Sequence, residues 1–268
     1  MATWWETVQR LMFSVVVTAI LRGCLLRDLL LGRTNRKIDT NEPGMTATRY
    51  WVPSGKFRLD AVLVTPVEST VQATLLICHG IGETVEHWLP VQRLLASKGV
   101  ASMVFDYAGY GRSSGFFDAA QAEDDAVAAF QWLRTIAPIA PIWLLGFSLG
   151  SGVAGAVARR LPIAGLGLCA AFTSLREGAI SCGFPAMLRF LVPDIWRSTQ
   201  SLQGYSEPVL IVHGVKDELF PTQMAMDLKA AVGLGSKLIL VPNLRHDEPH
   251  RHPTSAYWEH IAVHVSHK

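Results

Sequence analysis

Charge is scarce in this sequence of 268 residues: Asp, Glu, Lys and Arg make up 17% of it, and the formal net charge is +2. A chain with so little excess charge lacks the electrostatic footprint of a nucleic-acid-binding protein, and we expect no nucleic-acid partner. Half of the residues are hydrophobic, which argues against disorder and supports a substantial buried core. The length suits one large domain or two small ones.

Cysteine is scarce as well. The four cysteines are Cys24, Cys78, Cys169 and Cys182, and no two of them form a CxxC pair. Their wide separation argues against a disulfide framework or a metal centre and favours a reducing compartment. Cys78 and Cys169 lie in apolar runs, which is typical of small buried side chains. His260 and His264 have a spacing found in metal sites, but no third ligand is apparent, so we expect no metal and no cofactor.

The first 38 residues lack an uninterrupted apolar run of the roughly 20 residues that a clean transmembrane helix needs. Nine of the eleven residues from 11 to 21 are apolar, and a second apolar stretch spans 24–31 after Arg22. No small-residue cleavage site follows, which argues against a signal peptide. Polar residues fall along one side of a helix here, so we expect residues 1–38 to form a hydrophobic helical segment whose residues 1–37 associate with a membrane surface. The alternative is a helix packed on the following domain.

Basic residues near the end of this segment, at positions 33, 36 and 37, could meet anionic lipid. They also predict the side of the membrane, because cytoplasmic flanks carry an excess of Lys and Arg. We therefore expect a membrane-associated protein with its main domain in the cytoplasm, or otherwise a cytoplasmic protein.

Beyond a polar linker at 34–44, short apolar strands alternate with amphipathic helices, and no internal repeat is visible. This alternation predicts an α/β domain over residues 45–268, with a mostly parallel central sheet flanked by helices. The predicted strands are 46–52, 59–65, 74–78, 101–106, 141–146, 163–170, 208–213 and 237–241. The predicted helices are 87–98, 119–136, 149–160, 222–232 and 255–264.

Residues 173–207 interrupt the alternation with a long connection that is rich in apolar residues but lacks a strand pattern. A connection of this length is commonly a lid or binding loop when it lies above a site. A pair of core helices is the alternative. We expect residues 173–207 to form a short helical cap inserted in the domain.

The most informative stretch is 142–152, where an apolar run ends in Gly146-Phe147-Ser148-Leu149-Gly150 and passes into a helical pattern. A Gly-x-Ser-x-Gly motif between a strand and a helix is typical of a nucleophile elbow. The turn presents the Ser148 hydroxyl above the carboxyl end of a parallel sheet, near the positive end of a helix. Ser148 is therefore the candidate nucleophile.

A serine nucleophile needs a base to take its proton and an acid to hold that base. Asp217 lies in the turn after the strand 208–213 and is the candidate acid, with Glu218 as a less favoured alternative. His246 is the first histidine after the last strand and is the candidate base, with His250 as the alternative. A solvated turn or a helix cap would also explain an aspartate at position 217.

Acyl transfer also requires hydrogen-bond donors for the developing oxyanion. One is the backbone N–H of the residue after the nucleophile, Leu149. The second would come from the loop His79-Gly80-Ile81-Gly82 after the first buried strand, with Ile81 as the donor and His79 in a structural role. The glycines permit close backbone approach, although a plain turn explains them nearly as well.

These motifs, together with DYAGYGRSSG at 106–115 and HGVKDELFP at 213–221, resemble the α/β-hydrolase family in order and spacing over residues 46–266. The chain looks most similar to membrane-associated serine hydrolases with a short cap, of the ABHD12, ABHD13 and ABHD17 types. The resemblance implies an α/β-hydrolase fold, a Ser148–Asp217–His246 triad and oxyanion amides of Ile81 and Leu149. One departure is that Leu244 and Arg245 stand where family members often carry glycines before the histidine.

The expected function is that of a serine hydrolase cleaving carboxylic esters or thioesters through an acyl-enzyme, without a cofactor. The expected partner is a small-molecule acyl substrate, and the apolar cap with the N-terminal segment favours a lipophilic one. An acyltransferase or a serine peptidase could use the same triad, because pocket shape decides the acceptor. A non-catalytic binding protein of this fold is the non-enzyme alternative.

Overall fold

The computed structural model describes residues 44–67, 69–137 and 140–266. The hydrophobic segment 1–38 and its predicted membrane contact lie outside the described residues. Among the helices described, none combines the length and the apolar character needed to cross a membrane.

Eight strands of the described chain form one sheet in the order β1-β2-β4-β3-β5-β6-β7-β8. Their bounds are Met45–Ser54 (β1), Phe57–Pro66 (β2), Ala73–Cys78 (β3), Val100–Phe105 (β4), Ile142–Phe147 (β5), Gly165–Cys169 (β6), Val209–Gly214 (β7) and Ser236–Val241 (β8). The pairs β1–β2 and β2–β4 are antiparallel, and the remaining pairs are parallel. The mostly parallel central sheet that the alternation predicted is thus confirmed.

Helices cover both faces of this sheet, as the alternating pattern predicted. Their bounds are Val85–Ala96 (α1), Ala119–Ile136 (α2), Leu149–Val157 (α3), Leu175–Ser181 (α4), Ser198–Ser201 (α5), Thr222–Val232 (α6), Glu248–Arg251 (α7) and Ser255–Ser266 (α8). One buried cluster lies under α2, α3 and α6, and a second lies under α1 and α8. Cys78 and Cys169 are fully buried free thiols within these clusters, as their apolar surroundings predicted.

Several helix boundaries differ from the predicted ones. Helix α1 begins two residues earlier than predicted because Thr84 caps it. The backbone N–H of Thr84 donates to His87 Nδ1 over 3.0 Å in a capping box. Helix α3 ends at Val157 and continues as a 3₁₀ turn, Ala158–Arg160. The four-residue helix α7 stands between the predicted strand 237–241 and the predicted helix 255–264, where we predicted no helix. Pro249 lies in its first turn, where proline is tolerated.

The cap segment, residues 173–207, consists of α4, a 3₁₀ segment Ala186–Leu191 and α5. Gly178 of α4 packs against the rings of Phe172 and Phe220. The 3₁₀ segment has no buried residue, and Met187 within it is 83% exposed. Short pieces joined by irregular chain replace the pair of core helices that we considered as the alternative.

Strand direction separates the two edges of the sheet. The carboxyl ends of β5, β7 and β8 lie at one edge, because these strands are joined through parallel pairs. Strand β1 is antiparallel to β2, which is antiparallel to β4, so β1 runs in the same direction as the parallel strands. Met45 therefore starts β1 at the opposite, amino edge of the sheet.

Candidate active site

The turn between β5 and α3 has the geometry of a nucleophile elbow. Ser148 has φ of +52° and ψ of −118°, a conformation that costs a non-glycine residue energy. A Cβ on Gly146 would lie 2.4 Å from the carbonyl oxygen of Gly150, and one on Gly150 would lie 2.0 Å from the carbonyl oxygen of Cys78. Glycine is required at both positions because the strand, the turn and the helix approach one another so closely.

The structure brings Ser148, His246 and Asp217 together in a hydrogen-bonded line. His246 Nε2 lies 2.9 Å from Ser148 Oγ, and His246 Nδ1 lies 2.8 Å from Asp217 Oδ2. Ser148 is 6% exposed and His246 is 7% exposed, so the line is largely shielded from water. The rings of Phe147 and Phe220 flank the imidazole, with centroids 5.7 and 5.1 Å from it.

The loop after β7 fixes the carboxylate of Asp217. Its Oδ1 accepts the backbone N–H groups of Leu219 and Phe220 over 2.9 and 2.8 Å, which leaves Oδ2 for the imidazole. Burial alone would raise the pKa of Asp217, but the hydrogen bond and charge of His246 and the Phe220 amide hold it below its usual value. Asp217 is therefore an anion that can orient an imidazole and stabilise its protonated form.

Direct contact between two loops brings the acid and the histidine into reach. A Cβ on Gly214 would lie 2.3 Å from the carbonyl oxygen of Leu244, and that oxygen accepts the Lys216 amide over 3.0 Å. Arg245 Nη2 lies 3.2 Å from Glu218 Oε1. The two residues that depart from the family pattern thus join the loop of the histidine to the loop of the acid.

Glu218, the alternative acid, does not contact the imidazole side chain. Its Oε2 accepts the backbone N–H of His246 over 3.3 Å, and its Oε1 pairs with Arg245. Burial of Glu218 is slight, and the bond from Arg245 lowers its pKa. It therefore contacts the backbone of the base while Asp217 contacts the ring.

The loop 79–82 lies against the start of α3, beside the serine. A Cβ on Gly150 would also come within 2.7 Å of the His79 carbonyl oxygen. Ile81 lies at a turn with its side chain 51% exposed, and Leu149 is the first residue of α3. Among the backbone hydrogen bonds of turns, loops and helix caps in the described residues, none has the Ile81 or the Leu149 amide as its donor.

His79 is fully buried, and its ring contacts its own loop and two tyrosines. Its Nδ1 donates to the Gly80 carbonyl over 2.8 Å, and its ring packs on those of Tyr107 and Tyr110. Burial lowers the pKa of His79 to about 4, so the ring is neutral at pH 7. The structural role that we expected for His79 agrees with these contacts.

His250, the alternative base, contacts a carboxyl group that our sequence reasoning missed. Its Nε2 lies 3.2 Å from Oε1 of Glu83, while Glu83 Oε2 accepts the Gly80 amide and Trp88 Nε1–H, both over 2.8 Å. Burial lowers the pKa of His250 to about 3 and raises that of Glu83 to about 7. The only available sequence signal was the position of Glu83 directly after the loop 79–82.

Comparison with known proteins agrees with this architecture. A family model for the α/β hydrolase fold matches residues 73–195. An uncharacterised protein of Mycobacterium tuberculosis is 32% identical over 179 residues, which is 65% of this chain and 63% of the relative. The lysophosphatidylserine lipase ABHD12 of Danio rerio is 30% identical over 203 residues, 67% of this chain and 53% of the relative. The matched region thus spans between half and two thirds of these relatives.

Solved structures share the fold at lower sequence identity. A Pyrococcus furiosus esterase superposes with a TM-score of 0.69 at 17% identity, covering 88% of this chain and 98% of the esterase. The ferulic acid complex of Est1E from Butyrivibrio proteoclasticus gives 0.69 at 21% identity, covering 82% and 100%. The sheet order, the elbow and these matches define the α/β-hydrolase fold. The family-model match, the relatives and the shared fold together support membership of the α/β-hydrolase family.

Proposed function

We propose that this chain is a serine hydrolase that cleaves carboxylic esters or thioesters through an acyl-enzyme on Ser148. The observation that carries the proposal is the hydrogen-bonded line from Ser148 Oγ through His246 to Asp217. A base within hydrogen-bond reach of the hydroxyl, itself oriented by a carboxylate, is what activates a serine for attack on a carbonyl carbon.

The proposed reaction has two halves. Ser148 Oγ attacks the acyl carbon while His246 Nε2 takes its proton, and the negative charge on the carbonyl oxygen is stabilised by the amides of Ile81 and Leu149. The intermediate collapses to the acyl-enzyme as His246 returns the proton to the leaving alcohol or thiol. Water then repeats the sequence: His246 takes its proton, the acid is released, and Ser148 regains its hydrogen.

Exposed apolar side chains on the cap segment support the proposal that the acyl group of the substrate is lipophilic. Met187, Phe190 and Leu191 of the 3₁₀ segment expose between 43% and 83% of their surface. Helix α4 of the same segment packs on Phe220, whose ring contacts His246. Lysophospholipids are candidate substrates because the Danio rerio relative is named a lysophosphatidylserine lipase. A membrane association through residues 1–37 would be consistent with such a substrate.

Labelling with a fluorophosphonate probe, combined with a chain-length series of p-nitrophenyl esters and a lysophosphatidylserine assay, tests the proposal. We expect the wild type to label and to hydrolyse medium- or long-chain esters. Ser148→Ala should not label, and its kcat should fall on the order of 10⁶-fold, as for the loss of other triad serines.

Ser198→Ala serves as the matched control, because Ser198 is also buried but lies under α3, away from the imidazole. This variant should label like the wild type. A wild type that neither labels nor turns over any ester would identify a binding protein and refute the hydrolase. Activity on the acetate ester alone would refute the lipophilic substrate.

A further inference from the structure

Glu83 is a buried carboxyl group at the end of the loop that carries Ile81. It is 6% exposed, and its Oε2 accepts two N–H groups over 2.8 Å, one from the backbone of Gly80 and one from the indole of Trp88. The Gly80 bond fixes the orientation of the His79–Gly80 peptide, which is joined through the Gly80 Cα to the peptide that carries the Ile81 N–H. A change at Glu83 would therefore reach the proposed oxyanion donor through a single peptide unit.

The shape of the loop matches this bond. A Cβ on Gly80 would lie 2.8 Å from Glu83 Oε1 and 3.1 Å from its carboxyl carbon. Gly80 does not have a positive φ, so backbone strain does not explain a glycine here. The carboxyl group occupies the space that a side chain at position 80 would need.

The other oxygen of Glu83 faces the loop of the proposed base. His250 Nε2 lies 3.2 Å from Glu83 Oε1, and His250 belongs to α7, which begins two residues after His246. The His250 ring also stacks on Trp88 and meets Phe147 edge to face, with centroids 6.1 and 5.2 Å apart. One side chain thus contacts both the oxyanion loop and the helix that follows the base.

We propose that Glu83 is a positioning residue: by holding the Gly80 amide and the His250 ring together, it keeps the Ile81 donor and the His246 base in fixed mutual geometry. The inference rests on the proposed hydrolase function. A misplacement of about 1 Å in such a constellation can cost on the order of 100-fold in rate. The loss should appear in kcat, because the oxyanion forms only after the substrate is bound.

Glutamine is the informative conservative variant at this position. Its carbonyl oxygen can accept the Gly80 and Trp88 N–H groups as Oε2 does. Its amide nitrogen would then face His250, and the neutral ring can present an unprotonated Nε2 by changing tautomer. Glu83→Gln thus preserves the geometry without the charge, whereas Glu83→Ala removes both.

The test compares kcat and KM for p-nitrophenyl butyrate, with the thermal unfolding midpoint, in wild type, Glu83→Ala, Glu83→Gln and a matched control. The control is Asp125→Ala, because Asp125 is another buried carboxylate that accepts a backbone amide, that of Ala108 over 2.7 Å, and its described hydrogen bonds, to Ser54, Ala108 and Gln121, include no triad residue. We expect Glu83→Ala to lower kcat by about 10- to 100-fold with KM within about threefold. Glu83→Gln should keep kcat within about threefold, and Asp125→Ala should lower the midpoint with kcat unchanged.

Two results would overturn the positioning role. One is a Glu83→Ala enzyme whose kcat equals that of Asp125→Ala, and the other is a Glu83→Gln enzyme that loses as much as Glu83→Ala, since charge and not geometry would then act. If Glu83→Ala does not fold, His250→Phe carries the test, because it keeps the ring packing and removes the polar contact; an unchanged kcat there would equally refute the link. An inactive wild type would instead refute the hydrolase, and this role with it.

Discussion

Ser148 occupies a backbone conformation that few residues other than glycine adopt, at an estimated cost of about 1–3 kcal/mol. Local hydrogen bonds offset that cost: the Ser148 amide donates to the Cys169 carbonyl over 3.0 Å, and Ser151 Oγ donates to the Ser148 carbonyl over 2.6 Å. The turn is thus held from β6 on one side and from α3 on the other. The hydroxyl is presented rigidly toward the imidazole as a result.

Two adjacent carboxylates provide a test of the acid at the residue scale. Asp217→Asn should reduce kcat by about 10³- to 10⁴-fold, because an amide facing Nδ1 favours the wrong imidazole tautomer. Glu218→Gln, its neighbour and matched control, should change kcat by less than about tenfold, since Glu218 contacts the His246 backbone and the Arg245 side chain but not the imidazole. Steady-state kinetics on one soluble ester gives both numbers, and equal losses would contradict Asp217 as the orienting acid.

A functional residue could be identified from the sequence only where a motif or a suitable residue type stands at the end of a predicted strand. Ser148 follows from the Gly-x-Ser-x-Gly pattern, and Asp217 and His246 follow from their positions after β7 and β8. Glu83 could not be predicted, because its importance lies in contacts with Trp88 and His250 that no local pattern encodes. The ion pair between Arg245 and Glu218 could not be predicted for the same reason, since 27 positions separate the two residues.

At the element scale, two of the three glycines of helix α3, Gly150 and Gly155, lie in very different surroundings. A Cβ on Gly150 would lie 2.0 Å from the backbone oxygen of Cys78, whereas one on Gly155 would meet only the movable Ser198 side chain at 3.0 Å or more and Leu202 at 4.0 Å. Of these two glycines, only Gly150 is therefore needed for the close packing of α3 on β3.

We expect Gly150→Ala to lower the free energy of unfolding by more than about 2 kcal/mol and to impair hydrolysis, because overpacking moves backbone at the elbow. Gly155→Ala should be neutral or stabilising by up to about 1 kcal/mol, since alanine favours a helix over glycine. Urea denaturation measures both changes. A Gly150→Ala protein as stable as Gly155→Ala would show that the contact with Cys78 is easily relaxed.

Element prediction from the sequence succeeded where a pattern was long enough to show its period. The eighteen residues of α2 were placed at their observed bounds, Ala119–Ile136. The four-residue helices α5 and α7 were missed, because about one turn is too short to display an apolar periodicity. The cap segment was identified as an interruption, but its division into α4, a 3₁₀ segment and α5 depends on packing against α3 and Phe220.

At the scale of the whole molecule, the proposed membrane association can be separated from the proposed chemistry. We expect the full chain to float with phosphatidylcholine–phosphatidylserine vesicles in a sucrose gradient, and a chain starting at residue 44 to remain in the dense fraction. Both should hydrolyse a soluble p-nitrophenyl ester at the same kcat, because the described domain contains the whole triad.

Full-length Ser148→Ala is the control for this comparison, because it should float like the wild type although it is inactive. Flotation of the shortened chain would place the lipid contact on the α/β domain. A full chain that fails to float would refute the association through residues 1–37.

The start of β1 at the amino edge of the sheet has a consequence for how such a protein would meet its substrate. Ser148 follows the six-residue strand β5, four strands away from β1 in the sheet. The entry point at Met45 is therefore separated from the serine by about 20 Å along the strands and about 19 Å across them, at roughly 3.3 Å per residue and 4.8 Å per strand. The seven residues 38–44 reach at most about 25 Å even when fully stretched. An enzyme tethered in this way would hold its active-site opening away from the bilayer surface. It would suit single-chain amphiphiles that escape from the leaflet into water better than two-chain lipids that must be drawn out.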